Sequence, residues 1–245
     1  MKKKSIFLLA HQDDEIGISK VLSNELESDN EVICIFITDG GEKSDIRNQE
    51  SLYVLGKIGV NLDNIIFLGK ELNFKDGALS KSSRSLKDWL SRYIKKNSPV
   101  SSIYVPAYEG GHQDHDALHV AALNASHENG LVDKMFQFPL YNRYKCIGPF
   151  FCVMRPLPSN GKIIKINMTI RDRIKTLFYC LKYPSQLKTW IILFPFFIFY
   201  FLLNSYQVIQ KVDRKRIFQK PHNGILLYEY RKFYDWDRFQ KDMTN

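Results

Sequence analysis

Cysteine and several common binding signatures are scarce or missing in this sequence of 245 residues. It holds four cysteines, Cys34, Cys146, Cys152 and Cys180, and no two of them form a C-x-x-C pair. This argues against a disulfide framework and a zinc ribbon, and it favours free thiols in a reducing compartment. The sequence also has no P-loop, no G-x-G-x-x-G and no H-E-x-x-H, so nucleotide hydrolysis, dinucleotide binding and zincin proteolysis lack support.

A long apolar segment near the N-terminus is missing as well. Residues 6–10 are apolar but too few for the core of a signal peptide, and the polar residues 11–15 follow at once. We therefore predict a buried first strand and a cytoplasmic protein.

A longer uncharged stretch runs from residue 189 to residue 210. Residues 190–203 are apolar throughout, but this run is shorter than the ~20 residues of a membrane span, and Pro195 is expected to break it. Two interpretations stay open. One is a buried helical hairpin or cover over the sheet. The other is a segment at the membrane interface, flanked by basic residues at 188 and 211–216, which predicts peripheral membrane association.

Charge divides the chain into a front segment, residues 1–140, and a back segment, residues 141–245. The front holds 16 Lys and Arg against 20 Asp and Glu, a net charge of −4, whereas the back holds 19 against 6, a net of +13. The back also holds 22 of the 33 aromatic residues. We predict a catalytic core in the front and a back that completes the fold and the substrate pocket. A basic back attracts phosphates or a membrane surface, but without a recognisable nucleic-acid module no nucleic-acid partner is expected.

Short apolar runs alternate with helical patterns along the front segment. Strands are predicted at residues 5–10, 32–38, 64–68, 100–106 and 135–140, and helices from residue 14, over 44–57 and 80–96, and up to residue 129. This alternation predicts an α/β fold, a Rossmann-like three-layer sandwich with a mostly parallel sheet. The back is predicted as a basic, aromatic-rich extension of helices and strands, with an edge strand at 162–168 and a basic helix at 171–183.

Two polar clusters follow predicted strands. Residues 11–15 (HQDDE) come directly after the first strand, and residues 112–115 (HQDH) come just after the fourth. In a doubly wound sheet of order 3-2-1-4 these strands are neighbours, and their carboxyl ends border the crevice where ligands bind. Imidazole and carboxylate are metal ligands, and a catalytic zinc commonly has three protein ligands. His11, Asp14 and His115 would supply such a set, with Asp13 and His112 left beside it to move protons.

The two clusters are similar to the paired signatures of one family. HQDDE resembles the H-P-D-D-E signature of the PIG-L/LmbE-like N-acetylglucosaminyl deacetylases, and GHQDH at residues 111–115 resembles their G-H-P-D-H signature. Residues 38–42, Arg47 with Glu50, residues 55–56 and 76–77, and the YPSQ at 183–186 resemble further landmarks. The chain departs from the family at Gln12 and Gln113, where proline is common, so both turns are expected to be slightly looser.

The resemblance implies roles for the residues in these clusters. His11, Asp14 and His115 would bind Zn²⁺, although other divalent metals such as Fe²⁺ suit the same donors. Asp13 would be the general base for the attacking water. A protonated His112, kept charged by Asp114, would help to stabilise the oxyanion.

Substrate contacts are predicted next to this centre. Gly40 and Gly41 end the second predicted strand, so their backbone N–H groups border the same crevice. Arg47 is predicted as a substrate anchor. His119 and His127 are predicted to be structural.

The resulting hypothesis is a zinc-dependent hydrolase that removes an N-acetyl group from an N-acetylglucosamine-type sugar of a glycoconjugate or its precursor. The substrate is expected to be small or lipid-linked. Two alternatives stay open. One is an amidase that acts on a larger acyl conjugate, and the other is a catalytically inactive, membrane-associated glycan-binding module.

Overall fold

A seven-stranded sheet runs through the middle of the protein. The computed structural model describes residues 2–244. The strands are β1 (Lys4–Leu9), β2 (Glu31–Phe36), β3 (Ile65–Phe67), β4 (Val100–Pro106), β5 (Met135–Phe138), β6 (Tyr141–Asn142), β7 (Cys152–Val153), β8 (Ile163–Asn167) and β9 (Tyr206–Lys211). The sheet order is β3-β2-β1-β4-β5-β9-β8, and β6 pairs separately with β7. β1 to β5 are parallel, whereas β9 and β8 are antiparallel to their neighbours. The predicted mostly parallel α/β fold is confirmed.

Nine helices surround the sheet within residues 2–244. They are α1 (Ser19–Glu27), α2 (Ser44–Ile58), α3 (Gly69–Leu72), α4 (Ser83–Lys96), α5 (Gln113–Glu128), α6 (Ile170–Cys180), α7 (Leu187–Leu203), α8 (Leu227–Tyr230) and α9 (Trp236–Thr244). The helix predicted from residue 14 opens instead as a 3-10 turn, Asp14–Ile18. Carboxylates of this turn accept from backbone N–H groups of the preceding loop, which bends the chain before the α-helix begins.

Alternation along the strands produces the two sides of the core. Ile6 and Leu8 of β1 are buried with residues of α4 and α5 on one face of the sheet. Phe7 and Leu9 are buried with residues of α1 on the other face. Successive strand side chains point to opposite faces, so a strand buried on both faces is apolar throughout. This packing fixes the carboxyl ends of β1 and β4, which carry the two polar clusters.

The back segment extends the sheet and adds a third apolar cluster. β9 and β8 join the sheet beside β5, and α6 and α7 bury Tyr179, Trp190, Leu193 and Phe197 in this cluster. Residues 189–210 are therefore one helix followed by a strand, and the interpretation as a helical hairpin is wrong. Residues 206–211 form strand β9. Its buried Gln207 side chain hydrogen-bonds the backbone of the 3-10 turn and of α1, which holds the strand against the front segment.

Helix α7 also continues through Pro195, which the sequence was expected not to allow. Proline removes one backbone hydrogen bond from a helix interior. Burial of Trp190, Leu193, Phe197 and Phe201 along one side holds the helix together on both sides of the proline. Packing therefore outweighs the local breaking signal.

All four cysteines are free thiols. Cys34 and Cys180 are buried in the core, and burial raises the pKa of both thiols. Cys146 lies in the loop between β6 and β7, and Cys152 is the first residue of β7; their sulfurs are 3.4 Å apart.

Candidate metal centre

The two polar clusters meet at the carboxyl edge of the sheet. His11 follows β1, and His115 lies in the first turn of α5, the helix that follows β4. β1 and β4 are adjacent parallel strands, so the loops after them leave the sheet side by side. As a result, His11 Nδ1 lies 3.2 Å from His115 Nε2, although 104 positions separate the residues in the sequence.

Asp14 completes a set of three metal-type ligands. Its Oδ1 is 3.1 Å from His115 Nε2, and its Oδ2 is 3.9 Å from His11 Nδ1. Three ligand atoms, one from each residue, lie within 4.8 Å of one another, and all three residues are buried. Burial opposes ionisation of Asp14, but the neighbouring His115 lowers its pKa to about 2. Two imidazole nitrogens and one carboxylate facing a common point are a donor set that suits a divalent transition metal.

The other ring nitrogen of His11 is held by Asp114. His11 Nε2 lies 3.1 Å from Asp114 Oδ2, and the carboxylate also accepts from the backbone N–H groups of Gly77 and Leu79 at 2.6 and 3.0 Å. A carboxylate behind a ligating histidine fixes the ring orientation and raises the basicity of the nitrogen that faces the metal. Asp114 is thus placed to position a ligand.

Asp114 does not hold His112 as the resemblance implied. Its Oδ2 lies 4.0 Å from His112 Nδ1, outside hydrogen-bond distance, and that nitrogen instead accepts from the Asp114 backbone N–H at 3.2 Å. The His112 side chain is the N-cap of α5. Burial, together with the neighbouring His11, lowers the pKa of His112 to about 3. Since Nδ1 accepts this hydrogen bond, the geometry favours a neutral His112 ring with its proton on Nε2, and it argues against the charged His112 that the resemblance implied.

A second group of possible metal ligands surrounds Nε2 of His11. It consists of His11, Asp76, His112 and Asp114. Its carboxylates already have partners, because Asp76 Oδ2 pairs with Arg47 at 3.2 Å and Asp114 accepts two backbone N–H groups. This leaves His11, Asp14 and His115 as the preferred candidate set. Burial opposes ionisation of Asp76, but His11 holds its pKa far below the ordinary value. In the sequence, residues 76–77 only resemble a landmark of the family, and no role is predicted there for Asp76.

Asp13 has a strained backbone at the mouth of the site. Its φ is 107°, in the left-handed region that non-glycine residues rarely adopt. The Asp13 N–H donates to Glu15 Oε2 at 2.9 Å, and Glu15 Oε1 accepts from the Tyr183 hydroxyl. Burial raises the pKa of Asp13 well above its ordinary value. The buried Glu15 carboxylate therefore connects the Asp13 turn to Tyr183 of the back segment.

Arg47 lines the site but is anchored to the protein itself. Its guanidinium donates to the carbonyl of Gly40 at 3.0 Å and to that of Gln12 at 3.2 Å. Gly40 and Gly41 have φ of 71° and 70°, and a Cβ on Gly40 would lie 2.6 Å from the Gln12 side chain. Among residues 2–244, the cavity that opens from this site is lined by neither glycine. The geometry gives both glycines a role in the turn.

The two glutamines that replace proline brace their loops by hydrogen bonds. Gln12 is 1% exposed and its amide donates to Asn48 at 2.6 Å. Gln113 is 4% exposed and donates to the Gly77 carbonyl at 3.2 Å. Looser turns were expected at these positions, but the side chains supply ties that a proline ring lacks.

A cavity of about 460 Å³ opens from the candidate metal centre. Its polar end is lined by His11, Asp13, Asp14, Arg47, Asp76 and His112. Its other walls come largely from the back segment: Tyr141, Gln186, Lys188, Thr189, Trp190, Ile192, Leu193, Phe197, Arg231 and Phe233, with Gly17 and Leu140 of the front. The sequence carried no signal for most of these wall residues, because they share no spacing and come together only in three dimensions.

The YPSQ element connects the back to the polar end of the cavity. The Tyr183 hydroxyl lies 3.2 Å from Ser51 Oγ, and the backbone N–H of Ser185 donates to Glu50 Oε1 at 2.9 Å. The Gln186 amide faces the guanidinium of Arg47. These contacts set the start of α7 directly against the candidate site.

Fold, donor set and cavity define a hydrolase-type centre on an α/β sheet. The PIG-L family, described as GlcNAc-PI de-N-acetylase, matches residues 6–126. Both polar clusters fall within this match, and residues 6–126 form a PIG-L family domain. No curated protein matches the chain.

Solved structures with low sequence identity share the fold. The zinc-inhibited form of teicoplanin deacetylase Orf2 is 14% identical with a TM-score of 0.62, covering 86% of this chain and 100% of its own. N,N'-diacetylchitobiose deacetylase from Pyrococcus horikoshii is 19% identical with a TM-score of 0.55, covering 85% and 84%. GalB, the 4-carboxy-2-hydroxymuconate hydratase from Pseudomonas putida, is 10% identical with a TM-score of 0.53, covering 85% and 94%. The hydratase shows that the fold by itself does not decide the reaction.

Proposed function

We propose that the protein is a metal-dependent hydrolase that removes an N-acetyl group from an N-acetylglucosamine-type sugar. The carrying observation is the convergence of His11, Asp14 and His115, with Asp13 beside them at the polar end of one cavity. Family membership supports the deacetylase chemistry, and the chitobiose deacetylase supports an amino sugar as substrate.

The donor set fits a divalent cation, and we propose Zn²⁺ with Fe²⁺ as the main competitor. His11, Asp14 and His115 would hold it, while Asp114 fixes the His11 ring from behind. A metal held there acidifies water and polarises the amide carbonyl. Both donor types suit several metals, and one relative has a zinc-inhibited form, so the metal must be identified by titration.

Two side chains at the polar end of the cavity would move protons and stabilise charge. Asp13 accepts a proton from the attacking water and delivers one to the departing amine nitrogen. Burial raises the pKa of Asp13, so its carboxylate holds an abstracted proton more strongly than an ordinary aspartate does. The Nε2–H of neutral His112 donates to the carbonyl oxygen as that oxygen gains negative charge. Acetate and a free amine are the products.

The cavity walls favour a sugar that carries an apolar or anionic group. Trp190, Leu193 and Phe197 supply an apolar wall, and Lys188 and Arg231 add two cations. An acetylated sugar would occupy the polar end, and its aglycone would lie against these walls. We therefore propose a lipid-linked or phosphate-bearing glycoconjugate precursor as the substrate.

Acetate release from purified full-length protein tests the proposal. The protein is stripped of metal, then titrated with Zn²⁺ or Fe²⁺, and assayed on N-acetylglucosamine conjugates with free, phosphorylated and lipid-linked reducing ends. We expect activity to vanish on chelation and to return with one equivalent of metal. Activity that is indifferent to chelation would contradict the proposal.

A panel of acyl groups separates the alternatives. An amidase for larger conjugates would prefer bulkier acyl groups to acetyl on the same sugar. A glycan-binding module would bind the conjugates without turnover, even with metal restored. Either result would replace the deacetylase proposal.

A further inference from the structure

A broad apolar surface covers the outer side of α6 and α7. It consists of Ile170, Ile174, Phe178, Leu181, Leu187, Ile191, Pro195, Phe199, Leu202 and Leu203, all of them exposed. We call it the α6–α7 apolar face. Large contiguous apolar patches are rare on monomeric soluble proteins and mark surfaces that are covered by a partner or a membrane.

Helical spacing makes this surface continuous. On α6, Ile170, Ile174 and Phe178 recur at four-residue intervals, and on α7 Ile191, Pro195 and Phe199 do the same. The opposite sides of both helices are buried in one shared apolar cluster. Because the helices pack on the same cluster and against each other, their outer faces lie side by side.

Both ends of α7 are tied to the protein, which excludes a crossing of the bilayer. Among residues 2–244, one helix, Pro184–Leu203, is long and apolar enough to span a membrane. Its start is held to the front by the Ser185–Glu50 and Tyr183–Ser51 contacts, and β9 follows at residue 206 inside the sheet. Trp190, Leu193, Phe197 and Phe201 bury its inner side. A helix fixed in this way can lie in an interface plane but cannot insert across it.

The charge around the α6–α7 apolar face favours an anionic bilayer over a second copy of the chain. Residues 170–203, which form α6, α7 and the link between them, contain one acidic residue, Asp172, and five cations: Arg171, Arg173, Lys175, Lys182 and Lys188. Asp172 caps α6 through Thr169 and pairs with Lys20 at 3.5 Å, so it offers little attraction to other cations. A symmetric dimer would place this basic surface against its own copy and would be repelled. Anionic lipid headgroups instead attract such residues near the bilayer surface.

We propose that the α6–α7 apolar face docks the protein onto an anionic lipid bilayer. Apolar side chains enter the boundary between headgroups and acyl chains, while the basic residues of the back meet the phosphates. Lys188, Thr189 and Ile192 belong to the first half of α7 and also line the cavity, so docking brings the cavity mouth close to the bilayer. This last consequence depends on the proposed function, but the docking itself does not.

Co-sedimentation of the full chain with vesicles tests the docking. Wild-type protein is compared on vesicles of phosphatidylcholine and on an equal mixture of phosphatidylcholine and phosphatidylglycerol, at low and high salt. The test variant combines Ile191→Ser and Phe199→Ser, which change exposed side chains outside the cavity. Leu62→Ser, an exposed leucine of the front, is the matched control.

We expect binding only to the anionic vesicles, weakened by salt, and a loss of about tenfold or more in the double variant. Leu62→Ser should bind like the wild type, and thermal unfolding should show all variants folded. Asp13→Asn should also bind normally, which separates a failure of docking from a failure of the catalytic proposal.

Equal binding to both vesicle types, absence of binding, or binding unchanged in the double variant would overturn the proposal. Light scattering tests the main alternative, in which the α6–α7 apolar face forms a dimer. A stable wild-type dimer that the double variant converts to a monomer, without vesicle binding, would assign the face to a second copy of the chain.

Discussion

The ionisable groups of the candidate site in the front segment are buried, whereas the cations of the back segment are mostly exposed. In the front, His11, Asp14, Asp114 and His115 are almost wholly buried and each faces specific partners. In the back, the cations are mostly exposed, and α7 leaves an apolar side uncovered. The front therefore organises a chemical centre, whereas the back shapes the cavity wall and the outer surface. Substitutions in the two segments should change different measurements.

The sharpest test of this division is Asp13→Asn. The amide cannot accept the proton of the attacking water, so acetate release should fall by about 10²–10⁴-fold. Bound metal, measured by elemental analysis, should remain, because Asp13 is not assigned as a ligand. Asp63→Asn, an exposed carboxylate of the front, serves as the control. Turnover preserved in Asp13→Asn would show that the front does not work as described.

Asp114→Asn probes the support behind His11. Loss of this carboxylate should weaken metal affinity by about 10–100-fold, measured by competition with a chelating dye. Asp116→Asn is the matched control in the same helix, because Asp116 binds the backbone N–H groups of Glu109 and Gly110 at 3.0 and 3.2 Å. Asp116→Asn should lower stability without changing metal affinity. Equal metal loss in both variants would assign Asp114 a purely structural role.

Tyr183→Phe tests the connection between the segments. The variant removes a buried hydroxyl that contacts Glu15 and Ser51, so the free energy of unfolding should fall by about 1–3 kcal/mol. Tyr53→Phe, on a half-exposed ring, should stay within about 0.5 kcal/mol of the wild type in the same denaturant titration. If the two variants were equally stable, the two segments would be joined by apolar packing alone.

The pH dependence of stability offers a smaller effect. Glu109 accepts from the backbone of Leu140 and Tyr141 and from Asn142, and burial raises its pKa to about 7. In the unfolded chain this carboxyl loses its proton near the ordinary glutamate pKa of 4.5, while the folded one keeps it up to about 7. Stability from this group is therefore full below pH 4.5 and declines as the pH rises to about 7. Glu109→Gln should flatten this part of the profile in thermal unfolding, and an unchanged slope would contradict the assignment.

The meeting of the two clusters could be predicted because it follows from topology. Adjacent parallel strands place the loops after them together, and the doubly wound order 3-2-1-4 expected for alternating strands and helices makes the first and fourth strands neighbours. The α/β class followed from the same alternation.

Finer features of the site could not be predicted, since they depend on which atom of a side chain faces which neighbour. Spacing does not indicate that Asp114 supports His11 instead of His112, or that His112 accepts a backbone N–H. The continuation of α7 through Pro195 was missed for a related reason, because the compensating contacts come from residues distant in sequence.

The ties of residues 183–186 to Glu50, Ser51 and Arg47 give this short segment a consequence for protein engineering. It fixes the start of α7, so a replacement that keeps the buried inner side of this helix and changes only its outer side should leave the reactive groups in place. Grafting an α7 with a polar outer side after residues 183–186 would yield a chimera that keeps the reactive groups and is expected to meet its substrate in solution instead of at a membrane.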